Sequence, residues 1–355
     1  MYKKLLQTVL TSLITVALLF SCSKEKSTGK DNGQLLLNPG EPLVTDNFTA
    51  DPSAHVFEGK LYIYPSHDID TGVADSTDGS HYDMKDYHVY SITDFNSPVT
   101  DHGTVLKLED IPWASKQLWA PDAAYKNGKY YFYFPAKDND GLFRIGVATS
   151  DKPYGPFKPE PKPIEGSFSM DPALFIDDDE SAYMYFGGLW GGQLESWLSG
   201  NYYPGGLGPK ADEPAIGPRV VRMSNDMLGF DGPVKEISLL DEDGKPILAG
   251  DRERWFFEGA WVHKYKDTYY LSYSTGPTHL IVYATSDKPE GPFTYRGILL
   301  LPVSGWTTHH STVEYNGQWY LFYHDSTMSE GKSHLRCIKY SPIKHNSDGT
   351  LELVK

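Results

Sequence analysis

Val147-Ala148-Thr149-Ser150-Asp151-Lys152-Pro153-Tyr154-Gly155-Pro156-Phe157 returns later in the chain as Val282-Tyr283-Ala284-Thr285-Ser286-Asp287-Lys288-Pro289-Glu290-Gly291-Pro292-Phe293, with Ala-Thr-Ser-Asp-Lys-Pro and Gly-Pro-Phe identical in register. Chance does not produce such a match, so the chain is built from repeats. Upstream of each copy a polar turn enters alternating aromatic and aliphatic residues: Asn127-Gly128-Lys129-Tyr130-Tyr131-Phe132-Tyr133 and Asp267-Thr268-Tyr269-Tyr270-Leu271-Ser272-Tyr273. The pattern recurs at Glu58-Gly59-Lys60-Leu61-Tyr62-Ile63-Tyr64, Asp179-Glu180-Ser181-Ala182-Tyr183-Met184-Tyr185 and Asn316-Gly317-Gln318-Trp319-Tyr320-Leu321-Phe322-Tyr323. Each reads as a hairpin turn leading into a strand.

Aligning Tyr62, Tyr131, Tyr183, Tyr270 and Tyr320 gives spacings of 69, 52, 87 and 50 residues. Each is close to one four-stranded blade with loops of variable length. Five such repeats with almost no helical periodicity predict an all-β, five-bladed β-propeller. A pair of β-sandwiches would explain the alternation but not five matching hairpins. The Gly-rich runs Gly187–Gly192 and Tyr202–Gly206 in the longest gap are loop signatures, not a second domain.

Composition narrows the class of partner. The 355 residues carry a formal charge of −15, and about −17 once the two lysines of the first 21 residues are removed. A chain so acidic repels phosphate backbones and anionic lipid, which argues against nucleic acid. With 39% hydrophobic and 14% aromatic residues it can bury a core. Lys3 and Lys4, an apolar run to Phe20 and then Ser21-Cys22 read as a signal peptide over residues 1–21. The small residue before Cys22 resembles a bacterial lipoprotein box, which makes Cys22 the acylated N-terminus and places the protein on the cell envelope. Residues 22–44 read as a flexible tether, and 45–355 as the propeller. Cys337, without a partner, reads as a buried inert thiol. Motifs for phosphate loops, zinc sites and serine hydrolases are missing, and no organic cofactor is implied.

In a propeller the first strand of each blade runs along the central channel. Reading back from each turn, those strands carry Asp51 in Ala50-Asp51-Pro52-Ser53, Asp122 in Trp119-Ala120-Pro121-Asp122-Ala123, Asp171 in Ser169-Met170-Asp171-Pro172-Ala173, Glu258 in Phe256-Phe257-Glu258-Gly259-Ala260, and His310 in Thr308-His309-His310-Ser311. All lie at similar offsets from the tyrosines and converge at one end of the channel. Four acids in a partly desolvated funnel raise one another's pKa, at a cost that structure alone does not select. Acid/base chemistry exploits that cost, since one carboxyl stays protonated while another is ionised. Glycoside hydrolysis needs such a pair, about 5 Å apart for retention and roughly 6.5–9.5 Å for inversion, and separate blades suit the wider gap. The run Asp177-Asp178-Asp179-Glu180 lies on a hairpin turn and reads as solvated.

Taken together and in order, Asp-Pro-Ser, Trp-Ala-Pro-Asp, Asp-Pro-Ala-Leu-Phe-Ile-Asp-Asp-Asp, Glu-Gly-Ala-Trp-Val-His-Lys and His-His-Ser resemble glycoside hydrolase family 43 over roughly residues 45 to 355. The resemblance implies an inverting enzyme with Asp51 as general base, Glu258 as general acid and Asp171 orienting the acid and tuning its pKa. It makes Asp122 a supporting pocket residue and gives Arg336 a role in binding sugar hydroxyls. It also implies a calcium or sodium ion in the channel, held by His309 or alternatively His310. Hydrogen bonding of that histidine to the carboxylates is the competing reading. Trp113, Trp119, Trp190, Trp197 and Trp306 are candidates for sugar stacking, of which Trp119 and Trp190 are the expected substrate contacts. His67 and Asp68 fall where a rim loop is expected. The implied substrates are hemicellulose-derived oligosaccharides, with β-D-xylose or α-L-arabinofuranose released from the end. The alternatives are an endo-arabinanase or endo-xylanase of the same fold, and a lipid-anchored glycan-binding propeller without turnover. A retaining invertase-like enzyme is disfavoured because its Asn-Asp-Pro-Asn run is missing around Asp51.

Overall fold

A computed structural model describes residues 37–306 and 308–354. Its strands form five sheets, one per expected repeat, antiparallel but for one short edge strand. Blade one holds Phe48–Phe57, Lys60–Asp68, Asp86–Ile92 and Thr100–Lys107; blade two Asp122–Lys126, Lys129–Lys137, Phe143–Ser150 and the short Lys158–Pro159. Blade three holds Ala173–Ile176, Ala182–Phe186, Arg219–Arg222 and Lys235–Glu236. Blade four runs Glu258–Tyr265, Thr268–Ser274, Ile281–Ser286 and Phe293–Leu300, with Leu239–Leu240 added in parallel to its outer edge. Blade five comprises His310–Tyr315, Gln318–Asp325, Cys337–His345 and Leu351–Leu353. Each aligned tyrosine sits on the second strand of its blade, and the duplicated segment links the third and fourth strands of blades two and four.

The second strands show why the hairpins are so apolar. Leu61 to Ser66 and Tyr130 to Lys137 are buried without interruption, since a blade wedged between two others has both faces covered. Aromatic side chains fill the gaps between blades: Tyr64, Tyr87, Phe132 and Phe134 pack in one cluster of blades one and two. The turns at Glu58-Gly59, Asn127-Gly128 and Asn316-Gly317 have positive φ at both central residues, the twist that a tight two-residue hairpin needs. Glycine supplies the second of these at no steric cost.

The ring closes through its N-terminal segment. Backbone N–H groups of Gly40, Leu43 and Thr49 donate to the carbonyls of Tyr340, Ile338 and Arg336 in or beside blade five. Leu43 and Val44 are buried, and the Tyr340 hydroxyl donates to the Leu37 carbonyl. The tether expected through residue 44 therefore gives way to folded structure by Leu37, because these apolar residues cover the edge of the last blade. The signal peptide and Cys22 lie outside the described residues.

Candidate active site

Two of the axial acids are aimed inward by breaks in the strand ladder. Pairing of blade one's first two strands shifts between Ala50 and Ser53, and Asp51 takes a left-handed backbone, φ 51°. Blade four repeats the device between Glu258 and Trp261, with Gly259 at φ 66°. Such bulges re-aim a side chain and are common beside active sites. A Cβ on Gly259 would stand 2.8 Å from His309 Cδ2, so glycine is needed for the histidine to approach. Asp171 also adopts positive φ, 57°, just before blade three's first strand.

Asp51, Asp171, Glu258, His309 and Arg336 line one cavity of about 290 Å³ at one end of the channel. The volume is near the lower end for small-molecule sites. Trp119 and Trp190 line its walls, as does Trp306, whose ring stacks on Trp190 at 6.1 Å. Leu189 to Gly192 come from the long insertion between blade three's second and third strands.

The Asp51 carboxylate is held by a dense set of partners. Arg336 donates from Nη1 to Oδ1 at 3.0 Å and from Nη2 to Oδ2 at 3.2 Å, and Ser66 Oγ donates to Oδ2 at 2.6 Å. The same guanidinium grips Asp68 through Nε and Nη2, both at 2.8 Å. His324 Nδ1 accepts the Asp51 backbone N–H at 2.9 Å, so that nitrogen carries no proton and the ring is neutral. Burial pushes the Asp51 carboxyl up, but the Arg336 charge outweighs it and holds the carboxyl well below the usual range. Asp51 is therefore ionised throughout the neutral range.

Glu258 is driven the other way. Burial and the neighbouring Asp171 charge push its carboxyl up to about 8, against the opposing charges of His309 and Arg336. Asp171 Oδ2 accepts the backbone N–H of Gly259 at 3.1 Å, which fixes the strand that carries Glu258. His309 Nε2 lies 3.6 Å from Asp171 Oδ2, an ion-pair distance too long for a hydrogen bond. Burial disfavours charge on His309, yet Asp171 and the other carboxylates raise it to about 9. The two nitrogens of His309 and the Tyr82 hydroxyl are buried in the pocket wall with no hydrogen-bond partner among the described residues, where a ligand can use them.

Several expected residues stand elsewhere. Asp122 is fully buried below the pocket, accepting from Leu174 N at 2.5 Å and paired with His55 at 2.5 Å, so it latches blades one, two and three together rather than meeting a ligand. His67 faces away from the cavity and pairs with Asp86 at 2.6 Å, while Asp68 beside it faces Arg336, as side chains alternate along a strand. His310 is fully buried with Nε2 2.6 Å from Ser272 Oγ, so of the adjacent pair it is His309 that lines the pocket. Trp113 and Trp197 pack on Phe134 and Phe168, away from the cavity.

The donor set at the axis is a poor cage for calcium, which takes six to eight oxygens. His309 offers one nitrogen, and its proton is stabilised by Asp171. The three-ligand group of His and carboxylate side chains among the described residues lies instead on blade one.

Sequence reading missed His324 and the blade-one loop bearing Asp75, Ser76 and His81, which walls the pocket. Ser333 of blade five donates to Asp75 at 2.8 Å and ties that loop across the ring seam. His324 had a signal: like Asp68, it is a polar residue at the end of an apolar second strand, one residue before its last.

The family model for glycosyl hydrolases family 43 matches residues 40–351. The chain is 58% identical over 323 residues to a xylosidase/arabinosidase 43A of Humicola insolens, covering 87% of this chain and 98% of that one. It is 55% identical over 310 residues to a xylosidase/arabinosidase of Bacteroides ovatus, covering 87% and 95%. Among solved structures, a family 43 β-xylosidase/α-arabinofuranosidase from a compost microbial metagenome, in a calcium-free complex with xylotriose, superposes with a TM-score of 0.87 at 64% identity, covering 88% of this chain and 96% of that one. A five-bladed ring, axial acids on blades one, three and four, and this likeness along almost the whole ring agree: the chain belongs to glycosyl hydrolases family 43.

Proposed function

We propose that this protein is an inverting, exo-acting glycosidase that removes terminal β-D-xylose or α-L-arabinofuranose from hemicellulose oligosaccharides. The observation that carries this reading is two carboxyls placed in one cavity in opposite surroundings, Asp51 on the Arg336 guanidinium and Glu258 buried beside Asp171, which favours the ionised form of the first and the protonated form of the second. Xylosidase/arabinosidase relatives of high identity support the sugar class. The wall built by the blade-three insertion closes the cavity on one side and suits removal of an end unit.

Glu258 gives its proton to the glycosidic oxygen as that bond breaks. A water held by Asp51 attacks the anomeric carbon from the opposite face, which inverts it. Asp51 has little proton affinity of its own, so it takes the water's proton late, when the cationic sugar has made that water acidic. Turnover leaves Glu258 ionised and Asp51 protonated; release of the Asp51 proton and reprotonation of Glu258 restore the site. Asp171 keeps the Glu258 proton in place by like-charge repulsion. Protonated His309 balances that charge, and Tyr82 offers a hydroxyl to the sugar.

Hydrolysis of 4-nitrophenyl β-D-xyloside and α-L-arabinofuranoside by the purified protein tests this reading. Proton NMR of the first product must show the inverted anomer. Equal rates for the wild type and Asp51→Asn would remove the base assignment. We also propose that Cys22 is lipidated and tethers the enzyme to the cell envelope, on the strength of Leu19-Phe20-Ser21-Cys22. Intact mass of the membrane-extracted protein is expected to show a diacylglyceryl-modified Cys22; an unmodified chain starting at Met1 would refute it.

A further inference from the structure

The largest unexplained constellation outside the pocket is on blade one. His67 lies one residue from the end of its second strand, Asp86 and His88 on the third, and Asp101 and Thr104 on the fourth. One ligand atom from each of His67, Asp86 and His88 falls within 4.8 Å of the others. The arrangement is rigid, since each residue sits on a paired strand, and the side chains are partly buried, with 18%, 23% and 14% of their surface exposed.

Hydrogen bonding sets up the ligand atoms. His88 Nδ1 lies 3.1 Å from Asp101 Oδ1 and 3.2 Å from Oδ2, so it carries the proton and donates to that carboxylate. In the neutral ring Nε2 then lies 3.9 Å from Asp86 Oδ2 and 3.2 Å from Thr104 Oγ1, whose hydroxyl donates to that same Asp86 oxygen at 2.9 Å. His67 Nδ1 approaches the other oxygen of Asp86 at 2.6 Å. With the Thr104 hydroxyl proton given to Asp86, Nε2 of the neutral ring has no donor, and a cation between it and the carboxylate would satisfy both. Asp86 and Asp101 make ion pairs only with these two histidines among the described residues. A carboxylate that orients the far nitrogen of a histidine is the outer support seen around metal-bound imidazoles.

We propose that His67, Asp86 and His88 form a binding site for a divalent transition metal of the zinc class, with Asp101 orienting His88. Two imidazoles and a carboxylate suit zinc, whose N and O ligands lie about 2.0–2.2 Å away. Atoms bound about 2.0–2.2 Å from one ion stand closer together than 4.8 Å, so the three ligand atoms draw in by side-chain rotation. Water completes the coordination. On binding, His67 loses any proton it shares with Asp86, so affinity falls as pH drops. The site joins three strands of the blade that delivers Asp51, and the metal braces that blade without entering the reaction.

Chelator-treated full-length protein titrated with Zn²⁺ in a calorimeter tests this, with Glu258→Gln included to remove binding at the catalytic acid. One equivalent is expected in the wild type and in Glu258→Gln. His88→Gln is expected to weaken it by more than about 100-fold, and Asp101→Asn by about 10–100-fold. Cobalt(II) added to the unaltered protein supplies an independent reading, an intense visible absorption of a four-coordinate ion that one equivalent of zinc abolishes. Zinc affinity unchanged in His88→Gln, or no bound equivalent together with a six-coordinate cobalt spectrum, would overturn the proposal.

Discussion

The two sides of the pocket solve the burial of acids in opposite ways. On the seam between blades one and five, Asp51 and Asp68 share one guanidinium, and Ser66 and the neutral His324 complete the hydrogen bonding. On the side of blades three and four, the Glu258 carboxyl makes no hydrogen bond within the described residues and has Asp171 as its neighbour. The first acid is kept ionised and the second protonated. Identical chemistry is thus split by where the fold places a single arginine, and the strand bulges at Asp51 and Glu258 bring the two results to one cavity.

The largest effect comes from removing either half of that contrast. Glu258→Gln is expected to lower kcat on xylosides by about 10²–10⁴-fold, and least on nitrophenyl substrates, whose leaving group needs no proton. Asp51→Asn is expected to lose as much on every substrate. Equal losses across leaving groups in Glu258→Gln would show that it is not the acid.

Arg336→Met tests the ionised side. It leaves Asp51 and Asp68 buried without their cation, and the expected loss of stability is about 3–5 kcal/mol by urea unfolding. An unchanged midpoint would mean that the clamp is not what holds these acids.

Stability also reports on the protonated side. Glu258 rises from an ordinary value of 4.5 to about 8 on folding, so its ionised form is disfavoured in the folded protein. The resulting destabilisation is absent below the unfolded value, grows as pH rises from there to about 8, and then levels off. Glu258→Gln removes it and is expected to gain about 2–4 kcal/mol at pH 8 and almost nothing at pH 4. A gain independent of pH would contradict the raised acid.

The smallest effect sharpens the cause. Asp171→Asn removes the like charge, so Glu258 gives up its proton more readily and the alkaline limb of kcat/KM moves to lower pH by about one unit. Movement to higher pH would reverse the role given to Asp171.

How much of this was legible in the residues follows from their spacing. The five hairpins were visible because a blade covered on both faces needs unbroken apolar second strands and a Gly-bearing turn, which leave a repeated imprint. Asp51, Asp171 and Glu258 were visible as polar residues in those apolar settings, whereas on blade five the same offset pointed to His310 and only the family resemblance pointed to His309. Asp122 carries the same imprint but turns below the pocket, where its oxygens hold Leu174 N and His55. His67 and Asp68 differ only in strand parity, which a one-residue bulge can reverse. The pocket loop bearing Asp75 and His81 has no periodicity, and its place depends on a contact with Ser333 more than 250 residues away.

The most direct test is titration of the two carboxyls themselves, by carbon-13 NMR of protein labelled at the Asp and Glu carboxyl carbons, assigned with Asp51→Asn and Glu258→Gln. The Glu258 resonance is expected to titrate near pH 8, while Asp51 stays ionised at the lowest pH the fold withstands. Glu258 titrating near its ordinary 4.5, or Asp51 protonated at neutral pH, would contradict the division of labour between the two sides of the pocket.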